Sequence, residues 1–294
     1  MRGEIARLRD AMEREAYVTD RATATAAYLA MTLRKPLLIE GHPGVGKTEV
    51  AKVLANALET ELIRLQCYEG LDVNTALYEW NYAKQLLHIK LQEGSAASTR
   101  EREAEIFSRE FLLERPLLRA ITRPDVPPVL LVDEVDRSDE EFEAFLLEVL
   151  SDHQVTIPEI GTIRATHPPH VVLTSNRNRE LSEALRRRCL YLWVDYPAFD
   201  KELRIVRAKV PAIEARLADE VVRFVQRVRG RKLSKTPGVA ESLDWAQALV
   251  ALGTDALGDE VVEETLGCVL KDEADIRDVR AAIAEHGIDA MLKS

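Results

Sequence analysis

The sequence predicts an α/β protein: a five-stranded parallel sheet flanked by helices over residues 1–197, then a small α-helical domain over 198–294. Three observations predict it. Short apolar runs recur at 36–40, 61–65, 129–132, 170–174 and 190–194, with helical or turn-rich sequence between them. Strands that alternate with helices form a parallel sheet covered on both faces. After Pro197 the strand signal stops and only helical periodicity continues. Finally, Gly41-His-Pro-Gly-Val-Gly-Lys-Thr48 follows the first apolar run and precedes an apolar-periodic segment. That is the strand, glycine loop and helix order of a phosphate-binding loop.

Each element has a local reason. Ile5, Leu8 and Met12 lie at helical spacing. Thr19 or Asp20 can cap a second helix that runs to about Leu33, and Pro36 stops it. A helix follows the glycine loop through Leu58, and Glu61–Leu65 forms the second strand. Residues 72–120 read as a largely helical insert with a polar break near 93–105. Pro127 and Pro128 introduce the third strand, Val129–Val132. The next helix places Phe142, Phe145, Leu146 and Val149 on one face. Gln154–Ile157 and Thr162–Ala165, joined by Pro158-Glu-Ile-Gly161, predict a β-hairpin at about 154–165. His170–Thr174 and Leu190–Val194 complete the sheet, and Ser234–Gly238 breaks the helical domain.

Composition narrows the function. The chain has 294 residues, 46% of them hydrophobic, enough for a sizeable core. Forty Lys and Arg against fifty Asp and Glu give a net charge of −10, so nucleic acid is not an expected general partner. No run approaches the ~18 apolar residues of a membrane span. The N-terminal segment is amphipathic and contains acids, unlike a signal or transit peptide. Cys67, Cys189 and Cys268 are odd in number and far apart, which predicts a reduced, cytoplasmic setting without disulfides or a zinc site.

The candidate chemistry is that of a nucleoside triphosphate. His42, Pro43, Gly44, Val45 and Gly46 form the loop whose backbone N–H groups face phosphate, and the following helix adds its positive end. Lys47 can reach the β- and γ-phosphates, and the Thr48 hydroxyl can ligate Mg2+. The expected cofactors are ATP or ADP and Mg2+. The third strand ends in Asp133-Glu134. Asp133 can hold the metal, partly through water, and Glu134 can polarise the attacking water. Asn176 ends the fourth strand, where an amide can orient that water without adding charge. Arg186-Arg-Arg188 precedes the fifth strand. Helix-dipole complementation explains one or two of the three arginines. A permanently charged planar fork also suits a γ-phosphate presented by a neighbouring subunit, with Arg188 the first choice and Arg187 the second. His167-Pro-Pro-His170 is read as two loop histidines beside rigid prolines, with no structural metal assigned.

In order, GHPGVGKT, VLLVDEVD, LTSN and EALRRRC resemble the Walker A, Walker B, sensor 1 and arginine-finger elements of AAA+ ATPases. The helical C-terminal part is similar to that family's lid. The hairpin and the insert resemble the MoxR branch. Gln66-Cys-Tyr-Glu-Gly-Leu71, Ala76-Leu-Tyr-Glu-Trp-Asn81, Phe111-Leu-Leu-Glu-Arg-Pro-Leu117 and Pro237–Trp245 resemble CoxD-type members. That resemblance implies an ATP-hydrolysing chaperone or remodeller that forms a ring, commonly a hexamer, with ATP between subunits. It implies a client metalloenzyme, of the molybdenum-containing carbon monoxide dehydrogenase type, and a partner protein encoded nearby. By motif it gives Lys47, Thr48 and Asp133 to nucleotide and magnesium, Glu134 to water activation, Asn176 to sensing and Arg188 to trans-activation. It also implies a sensor 2 arginine after a Ser-Pro pair. Here the matching segment is Thr236-Pro-Gly238, which has none, leaving Lys235 or nothing in that role. Two other readings stand beside it: a P-loop small-molecule kinase, which needs no neighbour's arginine, and a DNA-associated AAA+ ATPase, which the net acidity disfavours.

Overall fold

Val129-Leu-Leu-Val132 is apolar at every position, and all four side chains are buried, so both faces of this strand are covered. Each such side chain contributes up to about 1.5–3 kcal/mol from burial. A computed structural model of the chain describes residues 2–92 and 99–292.

The elements run α1 (Arg2–Arg14), α2 (Arg21–Leu33), β1 (Leu37–Gly41), α3 (Lys47–Ala57), β2 (Leu62–Gln66), α4 (Val73–Ala76), β3 (Tyr78–Trp80), α5 (Tyr82–Leu91), α6 (Thr99–Ile106), β4 (Leu112–Glu114), α7 (Pro116–Thr122) and β5 (Val129–Asp133). They continue as α8 (Glu140–Asp152), β6 (Gln154–Ile157), β7 (Gly161–Arg164), β8 (His170–Ser175), α9 (Glu183–Arg188), β9 (Leu190–Val194), α10 (Phe199–Lys209), α11 (Ala215–Arg229), α12 (Val239–Ala251), α13 (Asp259–Val269), α14 (Glu273–His286) and α15 (Ile288–Leu292).

The five predicted strands form one sheet, ordered β2-β5-β8-β1-β9. Neighbours β2–β5, β5–β8 and β8–β1 are parallel, with Gln66 opposite Asp133, Val132 opposite Leu173 and Glu40 opposite Ser175. The C-terminal ends of β5, β8 and β1 therefore share one edge. The predicted hairpin is present as antiparallel β6–β7, with Gly161 closing the turn at φ +94°.

The described part of the insert is largely helical, as expected, but it also holds strands the sequence did not suggest. Its base is a two-stranded antiparallel pair, β3–β4, with Trp80 opposite Leu112. Residues 93–98 of the predicted polar break lie outside the described residues, and 99–105 are helical within α6. Helix α5 exposes Tyr82, Leu86, Leu87 and Leu91.

The chain divides into two compact units. One comprises Met1–Ile5, Ala22–Glu40 and Ala51–Leu192; the other comprises Ala6–Arg21, Gly41–Val50 and Trp193–Ser294. The first holds a core of β2, β5 and β8 side chains packed with Phe111, Leu117, Phe142 and Leu146. The second holds a helical core in which Phe224 and Trp245 are fully buried, and the Trp245 indole donates to Thr265 Oγ1 at 2.8 Å. The phosphate loop belongs to this second unit.

Candidate nucleotide-binding and catalytic site

In the first unit, strand pairing brings Asp133 close to Thr174. Their side chains meet: Thr174 Oγ1 donates to Asp133 Oδ1 and accepts from the Glu134 N–H at 2.9 Å. Asp133 is almost fully buried, and its other oxygen accepts from Arg64 on β2 at 2.6 Å. A charge-assisted bond of this kind holds the carboxylate in one orientation.

Glu134 sits in the left-handed region at φ +54°, a position a residue with Cβ occupies only when its surroundings fix it. Its surroundings do so. Oε1 accepts from Asn176 Nδ2 at 3.3 Å, while Oε2 accepts from Gln66 Nε2 at 3.2 Å and pairs with Arg137 at 2.9 Å. The structure thus brings Asp133, Glu134 and Asn176 together. None of the three depends on the loop alone for its position.

Sequence reasoning missed the residue that shapes the Asn176 loop. Asp136, buried just after β5, accepts from the N–H groups of Asn176 (3.2 Å) and Asn178 (2.8 Å). Its signal was the second aspartate of VLLVDEVD. Glu143 on α8 acts in a similar way on the residues that follow. It is buried, pairs with Arg179 and accepts from Ser182 N at 2.8 Å, which fixes the start of α9. Ser182 Oγ caps that helix by accepting from Leu185 N.

The three arginines leave α9 in different directions. Arg186 lies over the Tyr191 ring at 5.8 Å. Arg187 pairs with the exposed Glu183 one turn earlier. Arg188 donates to the Leu147 carbonyl at 3.1 Å and to Ser151 Oγ at 2.6 Å. Exposed i,i+4 pairs contribute only about 0.3–0.5 kcal/mol, so Arg187 is the more easily redirected of the two candidates.

Cys67 follows β2 and is buried beside this cluster. Burial, reinforced by the charges of Asp133, Asp136 and Glu134, pushes its thiol up to about 12. It is therefore a packing residue rather than a nucleophile. All three cysteines are free thiols.

In the second unit, the phosphate loop turns through Gly44 at φ +73° and Gly46 at φ +88°, angles that a Cβ opposes. The Lys47 ammonium folds back on its own loop, donating to the Gly41 carbonyl at 2.9 Å and the His42 carbonyl at 2.7 Å. The His42 ring stacks on Tyr196 at 4.5 Å and meets the edge of Trp193 at 5.6 Å. Pro43, Val45 and Thr48 occupy the predicted loop and helix-start positions.

The same unit sets the Thr236-Pro-Gly238 segment against the loop. Helix α12 begins against the loop: Val239 N and Ala240 N donate to the Gly44 carbonyl at 2.9 and 3.1 Å. A Cβ on Gly238 would lie 2.8 Å from the Pro43 carbonyl oxygen and 2.9 Å from Gly44 Cα, so only glycine permits this approach. The Lys235 backbone N–H donates to Asp275 at 2.9 Å. Arg229, at the end of α11, supports the segment from behind. It donates to the carbonyls of Pro237 (2.6 Å) and Gly238 (2.9 Å) and forms a double-pronged pair with the fully buried Glu202. Ser242 Oγ and Gln226 Nε2 also donate to Glu202, each at 2.6 Å. Arg229 had no sequence signal beyond its place in an amphipathic helix.

The AAA domain family, dynein-related subfamily, matches residues 36–189, more than half of the chain. The chain belongs to this family. It is an AAA ATPase, and the match runs from the start of β1 to the end of α9. An uncharacterized protein of Staphylococcus haemolyticus, SH1500, is 23% identical to this AAA protein over 274 residues, covering 90% of this chain and 95% of its own length. An uncharacterized protein of Staphylococcus aureus strain NCTC 8325 is 24% identical over 226 residues, covering 75% and 77%. Among solved structures, an arginine-to-alanine variant of Thermotoga maritima RuvB has a TM-score of 0.50 at 19% identity, covering 90% of this chain and 74% of its own. At that identity the likeness concerns the fold alone. No helix among the described residues is long and apolar enough to cross a membrane.

Proposed function

We propose that this AAA protein is an ATP-driven remodeller that works as a ring of identical subunits, with the arginine cluster of one copy acting at the nucleotide of the next. The observation that carries the reading is the Glu134–Asn176 contact beside the Asp133–Thr174 pair. It supplies a carboxylate held by a neutral amide next to a second carboxylate held for a metal. The residues fit Mg2+ and a triphosphate. The loop has two glycines at positive φ, and Lys47 is a cation held by two carbonyls that phosphate oxygens can replace.

In this reading the loop from His42 to Gly46 presents backbone N–H groups, Lys47 and Thr48 take phosphate and magnesium, and Asp133 takes magnesium through water. When bound, the metal neutralises charge on the phosphate oxygens. Glu134 accepts the proton of the attacking water, and Asn176 keeps its carboxylate in register. At least one arginine of the cluster acts in trans, Arg188 the first choice and Arg187 the second. Arg187 leaves an exposed ion pair to do so, whereas Arg188 must give up two hydrogen bonds.

The work is done on a protein client in the cytoplasm. The MoxR-like and CoxD-like phrases favour a molybdenum hydroxylase of the carbon monoxide dehydrogenase type, helped by a protein encoded nearby. The exposed apolar side chains of α5 support client contact, since such surfaces on a folded protein mark interaction sites.

The test is Glu134→Gln. It is expected to keep ATP binding, lose about 100-fold or more of turnover, and hold rings and client together on affinity purification in ATP. Normal turnover would remove Glu134 from this role. Arg187→Ala and Arg188→Ala, each mixed with Lys47→Ala subunits, identify the trans-acting residue by recovery of turnover. No recovery in rings shown to be mixed refutes action between copies.

A further inference from the structure

At the sheet edge opposite Asp133 and Glu134 lies a cavity of about 300 Å3, bounded by Pro36 and Leu37 at the start of β1, by Pro127, and by His170 at the start of β8. Five of its lining residues are basic: Arg34, Lys35, His153, His167 and His170. None is acidic, and the rest of the lining is apolar apart from Thr166. This concentration stands out in a chain with fifty Asp and Glu against forty Lys and Arg. Neither Arg34 nor Lys35 forms a salt bridge among the described residues.

The backbone adds a second observation. Arg34 follows α2 at φ +52°, and His153 follows α8 at φ +48°. These are the left-handed positions after a helix end where glycine is the low-cost residue. At both, the chain carries a basic side chain instead, and both border the same cavity. Complementing the two helix dipoles accounts for a basic side chain at each helix end. It does not account for Lys35, His167 and His170, nor for a lining without a carboxylate.

We propose that this cavity is a binding site for a small organic phosphate, its charged group held by Arg34, Lys35 and the histidines and its carbon skeleton by the apolar lining. The site lies at the opposite edge of the sheet from the catalytic carboxylates and is independent of the ATPase reading. Its volume falls at the lower end of small-molecule pockets. No group of three or more His, Cys, Asp or Glu side chains among the described residues is placed for a metal ion, so the basic lining suits an anion.

Proton linkage gives the site a signature. His153 and His170 both titrate below the usual histidine range, through burial first and then the Arg34 charge; Asp152 partly opposes this at His153. The groups facing them are Arg34 and Lys35 from the end of α2, Asp152 from α8, and His167 from the loop before β8. A bound dianion favours the protonated rings, so binding takes up protons and tightens as pH falls toward the lowered histidine values. Without ligand the sign is opposite. Lowered folded values mean that the unfolded chain binds protons first, and stability is lost as pH falls below ~6.5.

The test uses Lys47→Ala protein, which removes phosphate binding at the glycine loop. Phenyl phosphate and inorganic phosphate are titrated separately by calorimetry and by NMR of the histidine ring protons. Phenyl phosphate is expected to bind one site, more tightly than inorganic phosphate, and to shift the His153 and His170 resonances toward the protonated form. Arg34→Gly is expected to weaken binding by about 10-fold or more while raising the thermal midpoint, because glycine relieves the left-handed strain. A residue retained for folding alone would not move these two readouts in opposite directions. His170→Gln is expected to weaken binding without removing Arg34. Absence of saturable heat and of histidine shifts, or affinity unchanged in both variants, overturns the proposal. Equal binding of the two phosphates restricts the site to the inorganic ion and overturns the assignment to an organic ligand.

Discussion

The buried Arg229–Glu202 pair gives the sharpest energetic test. Arg229→Met removes two bonds to Glu202 and two to the carbonyls of Pro237 and Gly238. Glu202 is fully buried and would lose its cationic partner, with Ser242 and Gln226 as its remaining donors. Breaking a buried pair from one side typically costs about 3–5 kcal/mol. The double variant Arg229→Met/Glu202→Met removes the stranded charge as well. What then remains is the loss of the Arg229 bonds to the Pro237 and Gly238 carbonyls and of the Ser242 and Gln226 bonds to Glu202, while Gln226 keeps the Pro197 carbonyl and Ser242 keeps the Gly238 carbonyl; this is expected to cost about 1–3 kcal/mol. The second substitution should therefore recover ~2 kcal/mol. Urea unfolding followed by tryptophan fluorescence measures both values. A loss below ~1 kcal/mol for Arg229→Met, or a double variant as unstable as the two single losses added together, would refute the reasoning. In that case the pair would not be the support of segment 237–238.

Two further substitutions probe the site from its edges. Gly238→Ala places a methyl group against backbone atoms of Pro43 and Gly44 that cannot rotate away; it is expected to cost about 1–3 kcal/mol and to weaken ATP binding in a fluorescent-nucleotide titration. Thr174→Val keeps the shape but leaves Asp133 Oδ1 and Glu134 N without their shared hydroxyl. It is expected to raise the magnesium concentration needed for half-maximal ATPase while leaving nucleotide affinity within about twofold; an unchanged magnesium dependence would separate Thr174 from the metal site.

The features of this protein that were legible in sequence are those with a local cause. Val129–Val132 reads as a strand because every residue is apolar and Pro127-Pro128 bars a helix start before it. The hairpin reads from Pro158 to Gly161, where the turn chemistry is contiguous. Lys47, Asp133, Glu134 and Asn176 each stand at the end or start of such an element. What was not legible depends on distant partners. Strands β3 and β4 are three residues each, too short for periodicity to register, and pair across the whole insert. Asp136 resembles any acid after a strand until its two amide donors arrive from the loop after β8. Arg229 holds Pro237 and Gly238 while paired with a carboxylate on another helix, and no spacing rule links Glu202 to it.

The tie between Gly44 and the start of α12 is made of peptide groups alone. Evolution has few handles on such a joint. Exchanging side chains nearby leaves its donors and acceptor untouched, so the linkage can persist while the surrounding letters drift, and a comparison that scores residue identity passes over it. Engineers wishing to loosen the coupling of phosphate loop to helix must therefore reach it by adding bulk where there is none, or by removing an amide hydrogen outright, as proline at position 239 or 240 would.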